Sequence, residues 1–258
     1  MKKTFWGGRR YCSLDYMLKE RYSEKLYKLS LNGGMTCPNR DGKISEGGCI
    51  FCSAGGSGDF AANFNPDIAK QIEQAKTLVS KKYQGNRFIA YFQAYTNTYA
   101  PVEYLRKLFM DTIMRDDIAI LSIATRPDCL GDDVIELLAE LNRIKPVWVE
   151  LGLQTINEST ARLINRGYEL SCYDEAVRRL RNIGVEIITH MIIGLPYETK
   201  EDILSTAEYI GKTANGIKLQ LMHILKNTKL LEMYEKGEFK ALTAVSYTHL
   251  TLPTILRV

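Results

Sequence analysis

The sequence predicts an α/β fold with a parallel sheet that is either open or curled into a partial barrel. Six short segments rich in Ile, Val, Leu and Tyr alternate with amphipathic segments of helical period along the 258 residues. The apolar segments are continuous rather than alternating, which is typical of parallel strands covered by helices. No low-complexity linker interrupts the series, so we expect one domain with β-α units in sequence.

The predicted elements follow each other regularly along the chain. The strands are expected at 27–32, 87–93, 118–125, 147–153, 185–194 and 217–224. The helices between them are expected at 65–83, 100–115, 131–144, 171–183 and 199–214. The first of these helices opens with Asn65 and Pro66, a capping residue followed by a first-turn proline.

Composition and charge narrow the class of protein. An apolar fraction of 45% and a charged fraction of 25% are those of an ordinary soluble globular protein. No apolar run approaches the roughly 20 residues of a membrane span, and the first residues lack the apolar core of a signal peptide. We therefore predict a cytoplasmic protein that has no membrane partner.

Positive charge is concentrated at the start of the chain. Residues 1–31 carry eight Lys or Arg and three Asp or Glu, whereas the whole chain has a net charge of only +4. Residues 1–30 are therefore treated as a basic N-terminal extension. Such a segment can contact phosphates of a nucleic acid, or it can form a solvated, partly helical face.

Three of the six cysteines lie in one glycine-rich loop, at Cys37, Cys49 and Cys52. In a reducing compartment, clustered cysteines more often bind a metal than form disulfides. A structural zinc site normally has four protein ligands, and no fourth Cys or His lies close in sequence. A three-thiolate iron–sulfur cluster with one iron open to a small molecule fits best. Structural zinc with a distant fourth ligand such as Cys12 is the alternative.

The loop resembles the cluster loop of the radical S-adenosylmethionine (SAM) superfamily, including an aromatic residue, Phe51, before the last cysteine. The gap between the first two cysteines is longer than the superfamily's commonest pattern, and is similar instead to the radical domain of the Elongator catalytic subunit. A family of uncharacterised bacterial radical SAM proteins is closer still. It shares NGGMTCPNRDG, YFQAYTNTYAP, SIATRPDCL, WVELGLQT, INRGY, THMIIGLPYETKEDI and MHILKNTKL, from about residue 5 to 244.

The resemblance implies a TIM-like partial (β/α)6 barrel over residues 31–244. It implies one 4Fe–4S cluster on Cys37, Cys49 and Cys52, with SAM bound at the open iron. Reduction would cleave the sulfonium of SAM and release a 5′-deoxyadenosyl radical that abstracts hydrogen from a substrate. It also implies an electron donor such as flavodoxin or ferredoxin.

The substrate is open at this point. The resemblance to the Elongator domain and the basic extension make tRNA the leading candidate, with a small metabolite or a protein side chain as alternatives. No segment resembles the acetyltransferase domain of the Elongator subunit. The rival class is a non-catalytic zinc- or cluster-binding domain for RNA or protein, which iron and sulfide content distinguishes.

Further candidates follow the second and third strands, because parallel α/β folds gather reactive side chains at the C-terminal ends of strands. Gln93, Tyr95 and Asn97 are expected at the methionine end of SAM, or else they form the turn after the strand. Arg126 is expected to pair with the SAM carboxylate, or with Asp128 to fix the TRPD turn.

The fourth and sixth strands add polar residues to the barrel interior. Glu150 and Gln154 lie on one face of their strand and are expected near the ribose or the substrate. A carboxylate among apolar neighbours is costly unless it is bonded, so the alternative is a structural pair with Arg166. Lys218, Gln220 and His223 occupy alternate or near-alternate positions of the predicted sixth strand. Of these, His223 is a candidate for a substrate contact, with a satisfied core histidine as the alternative.

The loop after the fifth strand, GLPYE, resembles the adenine-binding motif of the superfamily, with its glutamate one residue later. Gly194 and Pro196 would let its backbone meet the adenine ring. The alternative is a helix N-terminus capped by Glu198 and Thr199. No residue is assigned a catalytic role.

The last segment, 245–258, fits neither a helix nor a strand pattern and is uncharged until Arg257. The codons GTC TCT TAT ACA CAT CTG ACG CTG CCG ACG would encode Val245 to Thr254, and they match a transposase adapter used in sequencing libraries. We therefore expect native coding to end near Ala244, with the native C-terminal segment missing. A genuine terminal strand is the alternative, and amplification of the gene from source DNA decides between them.

Overall fold

The computed structural model describes residues 6–59, 61–243, 245, 246 and 248. In these ranges six strands form one sheet, ordered β1 to β6 as in the chain, and every pairing is parallel. The strands are β1 Tyr27–Leu31, β2 Phe88–Phe92, β3 Ile118–Thr125, β4 Val147–Gln154, β5 Glu186–Ile193 and β6 Gly216–Leu221. All six predicted strands are thus confirmed, although the sixth ends three residues earlier than expected.

Helices connect the strands. They are α1 Leu14–Tyr22, α2 Ile68–Val79, α3 Val102–Ile113, α4 Asp132–Ile144, α5 Glu158–Leu163, α6 Leu170–Asn182, α7 Lys200–Thr213 and α8 Lys229–Glu235. The five predicted helices correspond to α2, α3, α4, α6 and α7. The expected start of α2 at Asn65 is wrong, because the Asp67 side chain accepts from the amides of Ala69 and Lys70 and caps the helix there.

The sheet is strongly curled. Lys28 on β1 and Lys218 on β6 both contact the carboxylate of Glu150 on β4. In a flat sheet the two edge strands would lie about 24 Å apart, beyond the reach of two lysines to one carboxylate. The six strands therefore form a half-barrel, which confirms the predicted partial (β/α)6 barrel.

Residues along each strand alternate between two environments. One set packs against the outer helices in the main apolar core, as Leu29, Phe92 and Leu121 do. The other set faces the barrel interior and forms layers. The lowest layer is apolar and includes Ile89, Ile120, Trp148 and Ile188, and Leu18 of α1 packs against it.

Helix α1 therefore closes the N-terminal end of the barrel. Within residues 6–30, the described part of the basic extension, the chain also begins β1, and Lys28 points into the barrel. The division into an extension and a core stays a prediction. At the other end of the chain, residues 244, 247 and 249–258 lie outside the described residues. The expectation of an adapter-encoded tail stays a prediction.

In the residues that the structure describes, no helix combines the length and the apolar character needed to span a bilayer.

Candidate functional site

A cavity of about 240 Å³ opens at the C-terminal ends of the strands and extends into the half-barrel. Nine predicted cluster and cofactor residues line it: Cys37, Cys49, Phe51, Cys52, Gln93, Tyr95, Arg126, Glu150 and Gln154. The polar residues noted in and after the sixth strand, Lys218, Gln220 and His223, line it too, although His223 lies beyond the end of β6. Three others, Asn97, Gly194 and Pro196, are not among its lining residues. The sequence motifs therefore meet around one cavity, although they come from most of the chain.

Cys49, which is partly buried like the other two loop cysteines, makes contacts with the segment after α5. Its sulfur donates to the carbonyl of Asn165 at 3.4 Å and accepts from the Asn39 amide at 3.6 Å. Burial raises the pKa of Cys49 to about 11, so this residue is a thiol when no metal is bound. Binding to iron would displace the proton, and the Asn39 amide would remain as a donor to the thiolate.

Arg40 ties the loop together. Its backbone amide donates to the Cys37 carbonyl at 2.8 Å, and its guanidinium donates to the carbonyls of Cys52, at 3.1 Å, and Ser53. The guanidinium crosses over Gly48, where an added Cβ would lie 3.0 Å from Arg40 Nε. Among the described residues Arg40 forms no ion pair, so its charge is available to a negatively charged group bound by the cysteines.

The three cysteines fit an iron–sulfur cluster. All are free of disulfides and line the same cavity, with Arg40 beside them. No set of three or more His, Cys, Asp or Glu in the described ranges is arranged around a single ion. A cubane cluster binds each thiolate at a separate iron, so its ligands need not meet at one point. Cys12, the fourth ligand of the zinc alternative, is exposed and lies outside the cavity lining.

Two residues after β2 hold the second half of the loop in place. Tyr95 adopts a left-handed backbone conformation, with φ of 59°, and its hydroxyl donates to the Ala54 carbonyl at 2.6 Å. Gly56 packs directly on the Tyr95 ring, where any Cβ would collide with it. Gln93 donates to the Ser57 carbonyl at 2.7 Å. Both side chains thus shape the cavity wall next to the cysteines.

Asn97 has a different place. It is fully buried, and its amide donates to the carbonyls of Phe92 and Ala124, each at 3.0 Å. These bonds join the ends of β2 and β3. The observed position therefore matches the turn-forming alternative for this residue.

Arg126 faces the cavity and is already paired. Its guanidinium donates to both oxygens of Asp128, at 2.9 and 2.7 Å, and lies over the Tyr168 ring at 5.0 Å. This is the pairing within the TRPD turn that the sequence offered as the alternative. The bidentate contact holds the guanidinium rigidly at the end of β3.

Glu150 is the centre of a buried polar cluster. One of its oxygens accepts from Lys28 and from the Ser122 hydroxyl at 2.7 Å. The other accepts from His190 Nε2 at 2.7 Å and from Lys218 Nζ at 3.2 Å. A carboxylate offers about four acceptor positions, so those of Glu150 are all used within the chain.

The alternative that the sequence offered for Glu150, a structural pair with Arg166, is not what the structure shows. Arg166 lies beyond α5 and donates to the carbonyls of Leu153 and Thr155 and to the carboxylate of Glu158. It therefore supports the segment that follows β4, while lysines from the two edge strands neutralise Glu150.

The protonation states in this cluster follow from burial and neighbouring charge. Burial alone would raise the pKa of Glu150, but the His190 hydrogen bond and the two lysines hold this pKa well below its usual range. Burial lowers the pKa of His190 and of Lys218. Burial and the Glu150 charge raise the pKa of Tyr91 well above its usual value. At neutral pH we therefore assign an ionised Glu150 beside a neutral His190.

The turn after β5 carries Gly194, with φ of 92°, and the buried Pro196. A Cβ at Gly194 would lie 2.9 Å from Leu242 Cδ1, which explains why only glycine fits. Thr199 caps α7 through a reciprocal capping box with Asp202. Glu198 takes no part in this cap.

Sequence reasoning missed several residues of the site. Asn39 and Arg40 lie beside the first cysteine, and Lys28, Tyr91 and Ser122 face the barrel interior from the first three strands. A polar side chain at an inward position of an otherwise apolar strand is the signal that could have found the last three.

Comparison with known proteins assigns the family. A model described as "Radical SAM superfamily" matches residues 37–210. The chain belongs to the radical SAM superfamily. It is 47% identical over 243 residues to the uncharacterized protein YtqA of Bacillus subtilis (strain 168), covering 94% of this chain and 76% of that protein. It is 26% identical over 150 residues to tRNA uridine(34) acetyltransferase of Methanocaldococcus infernus, covering 53% and 27%.

A solved structure shares the fold. The archaeal Elp3 of Methanocaldococcus infernus superposes with a TM-score of 0.61 at 19% identity, over 84% of this chain and 50% of that one. The predicted likeness to the radical domain of the Elongator catalytic subunit is thereby confirmed.

Proposed function

We propose that this radical SAM protein is an enzyme that binds one 4Fe–4S cluster through Cys37, Cys49 and Cys52. The observation that carries the proposal is the grouping of three free cysteines and the unpaired Arg40 guanidinium on one cavity. The bound cluster would supply an open iron for SAM and the electron that cleaves its sulfonium to a 5′-deoxyadenosyl radical. The chain's own residues hold, orient and enclose these groups.

For the SAM site we propose a different role for each of the main lining residues. Gln93 and Tyr95 form the wall beside the cysteines, and Arg126 presents a fixed guanidinium from the end of β3. Gln154 is the candidate for a ribose hydroxyl, because its carbonyl accepts only a 3.3 Å bond from Tyr168 and its amide is available. The acceptor positions of Glu150 are all used, so its proposed role is that of counter-ion to Lys28 and Lys218.

Three predicted residues, Asn97, Gly194 and Pro196, lie away from the cavity lining and keep a narrower proposed role. The backbone of the Gly194–Pro196 turn is the candidate contact for adenine, and Asn97 supports it only indirectly, by fixing the ends of β2 and β3. Phe51 stays a proposed contact of the cofactor, because it lies in the cavity wall between two cysteines.

For the substrate we propose tRNA, and for the reductant a small electron carrier such as flavodoxin or ferredoxin, in the cytoplasm. Support for tRNA comes from the similarity to a tRNA uridine(34) acetyltransferase and from the basic start of the chain. Fewer basic side chains are available to contact tRNA phosphates than the sequence contains, because Lys28 points into the barrel and Arg21 pairs with Glu186.

The test is anaerobic reconstitution with iron and sulfide, reduction, addition of SAM, and mass-spectrometric detection of 5′-deoxyadenosine. The loop variant Cys37→Ala/Cys49→Ala/Cys52→Ala should lose both the cluster and the product. The matched control Cys12→Ala/Cys129→Ala/Cys172→Ala removes the same number of thiols outside the loop and should retain both.

Zinc in place of iron, or a loop variant that keeps its cluster, would overturn the proposal. Adding bulk tRNA tests the substrate separately. We expect tRNA to increase 5′-deoxyadenosine formation, and deuterium transfer from labelled tRNA would identify it as the hydrogen donor. An unchanged rate with tRNA would reject tRNA but not the radical chemistry.

A further inference from the structure

Each of the six strands contributes one polar side chain to a single layer inside the half-barrel. These residues are Lys28, Tyr91, Ser122, Glu150, His190 and Lys218. The layer lies on the apolar plug formed by residues such as Ile120 and Trp148. Tyr91, Glu150, His190 and Lys218 also line the cavity above it. The layer is therefore the floor of the candidate active site.

The floor carries more positive than negative charge. Lys28 and Lys218 contact one carboxylate, Glu150, and burial keeps His190 neutral. Three arginines lie higher in the cavity: Arg126 is paired with Asp128 and Arg166 with Glu158, while Arg40 lies in the cysteine loop. A closed structural ion cluster would balance its charges, because an uncompensated buried charge is costly. An excess cation on a cavity floor is instead suited to an incoming anion.

Lys218 is the group that can meet such an anion. Its ammonium donates to the Tyr91 hydroxyl at 3.0 Å and to Glu150 Oε2 at 3.2 Å. An ammonium has three donors, and no third partner is found in the described part of the chain. One third of the side chain is exposed, and it lines the cavity. Lys28 contacts the same carboxylate but does not line the cavity.

The floor lies well below the expected SAM site. Glu150 precedes Gln154 by four residues on β4, which is at most about 13 Å because the strand is irregular between Gly152 and Gln154. The cysteines lie beyond the opposite, C-terminal ends of the strands, in the loop that follows β1. A ligand on the floor therefore approaches the cofactor region from beneath.

We propose that this layer is a subsite for an anionic group, a carboxylate or a phosphate, with Lys218 as its direct donor. The identity of the ligand as the substrate of the radical reaction rests on the proposed function, whereas anion binding itself does not. Glu150 is then a positioning residue, because it holds the two ammonium groups apart from each other and fixes His190 through its Nε2 proton.

The chain offers a simple spectroscopic probe, since it contains only three histidines, at positions 190, 223 and 249. The 258-residue chain labelled with [13Cε1]-histidine gives one signal for each, and His223→Gln and His249→Gln assign them. The signal of His190 is followed during titration with acetate and with inorganic phosphate, before and after reconstitution of the cluster. Sodium chloride of equal ionic strength is the control for general screening.

We expect acetate or phosphate, but not chloride, to shift the His190 signal to saturation. Whichever anion saturates at the lower concentration identifies the class of the group. Lys218→Met should weaken that binding about tenfold or more, because it removes a charge-assisted hydrogen bond. Lys218→Arg should restore most of it, and the exposed Lys226→Met should leave it unchanged. Thermal unfolding of each variant checks that the fold is retained.

A His190 signal that responds to neither anion, or responds equally to chloride, would overturn the subsite. So would equal anion affinity in wild type and a folded Lys218→Met variant. These outcomes are independent of 5′-deoxyadenosine formation, so a failure of the subsite is distinguishable from a failure of the proposed radical chemistry.

Discussion

The ammonium group of Lys218 on β6 lies 3.2 Å from Oε2 of Glu150 on β4, while Lys28 from the opposite edge strand contacts the other oxygen. One carboxylate therefore links both edges of the half-barrel through its interior. The same contact gives the cavity a cationic floor. The curl of the sheet thus both encloses the cavity and brings the two lysines together on its floor.

Removal of the Glu150 charge should destabilise the fold. Glu150→Gln keeps the volume but leaves two lysines facing each other without a counter-ion. We expect the free energy of unfolding in urea to fall by about 2–4 kcal/mol, somewhat less than for a fully buried pair because the lysines are partly exposed. Glu140→Gln breaks the solvent-exposed pair with Arg106 and should leave the free energy of unfolding almost unchanged. Equal losses in the two variants would contradict this account.

Two glycines of the cysteine loop allow the cost of backbone strain to be measured separately from the cost of a steric clash. Both Gly47 and Gly56 have positive φ, but an added Cβ meets nothing at Gly47 and collides with the Tyr95 ring at Gly56. Gly47→Ala should cost about 1–2 kcal/mol from strain alone. Gly56→Ala should cost about 1–3 kcal/mol more and lower the iron bound after reconstitution. Thermal unfolding and iron analysis of both variants test this, and indistinguishable iron content would refute it.

Asn39 should link the loop to the rest of the barrel. Its amide donates to the carbonyls of Asn165 and Arg166, at 2.6 and 3.2 Å, besides its contact with Cys49. Asn39→Ala leaves buried acceptors without donors, so we expect a loss of about 2–3 kcal/mol in the cluster-free protein. Iron should also dissociate faster after reconstitution.

The control is Asn142→Ala. Asn142 donates to the Gly184 carbonyl at 3.1 Å and accepts from the Val147 amide, away from the cavity. This variant should lose stability without faster loss of iron. If both variants release iron at the same rate, Asn39 has no specific role at the cluster.

Glu198 should make stability depend on pH. Its carboxylate oxygens are buried beside the hydroxyls of Thr155 and Thr160, but no hydrogen bond of good geometry to them is formed in the described part of the chain. Burial raises the pKa of Glu198 from 4.5 to about 7, against the smaller opposite effect of these hydroxyls. The folded state therefore binds a proton more tightly than the unfolded state. The extra stability is fully present below pH 4.5 and is lost as the pH rises to about 7.

Urea unfolding of Glu198→Gln against wild type between pH 4.5 and 8 measures this effect. We expect the free energy of unfolding of the variant, relative to wild type, to increase as the pH rises, by roughly 2 kcal/mol at pH 8. This figure is reduced from the full pKa difference because the Glu198 side chain is partly exposed to water. Thr199→Gln, at the neighbouring exposed cap, should give a constant loss at every pH. A flat difference for Glu198→Gln would show that its pKa is not raised.

Local sequence determined much of this protein. Continuous apolar segments specified the six strands because strands covered by helices need apolar residues on both faces. The strongly periodic helices were equally readable, whereas α1, α5 and α8 were not predicted, since they are short and carry little apolar period. The spacing of Cys37, Cys49 and Cys52, together with the flanking motifs, indicated the superfamily because those residues are neighbours in sequence.

Only the tertiary structure decided how the polar residues pair. Lys28 and Glu150 are 122 positions apart, and Glu150 and Lys218 are 68 apart, so no local pattern links them. Their contact depends on the curl of the sheet, which brings both edge strands around one interior. Arg166 looked equally suitable as a partner in the sequence, yet it follows α5 and faces different carbonyls. Charge type can be read from a sequence, but the distance between charges is set by how the strands close around the core.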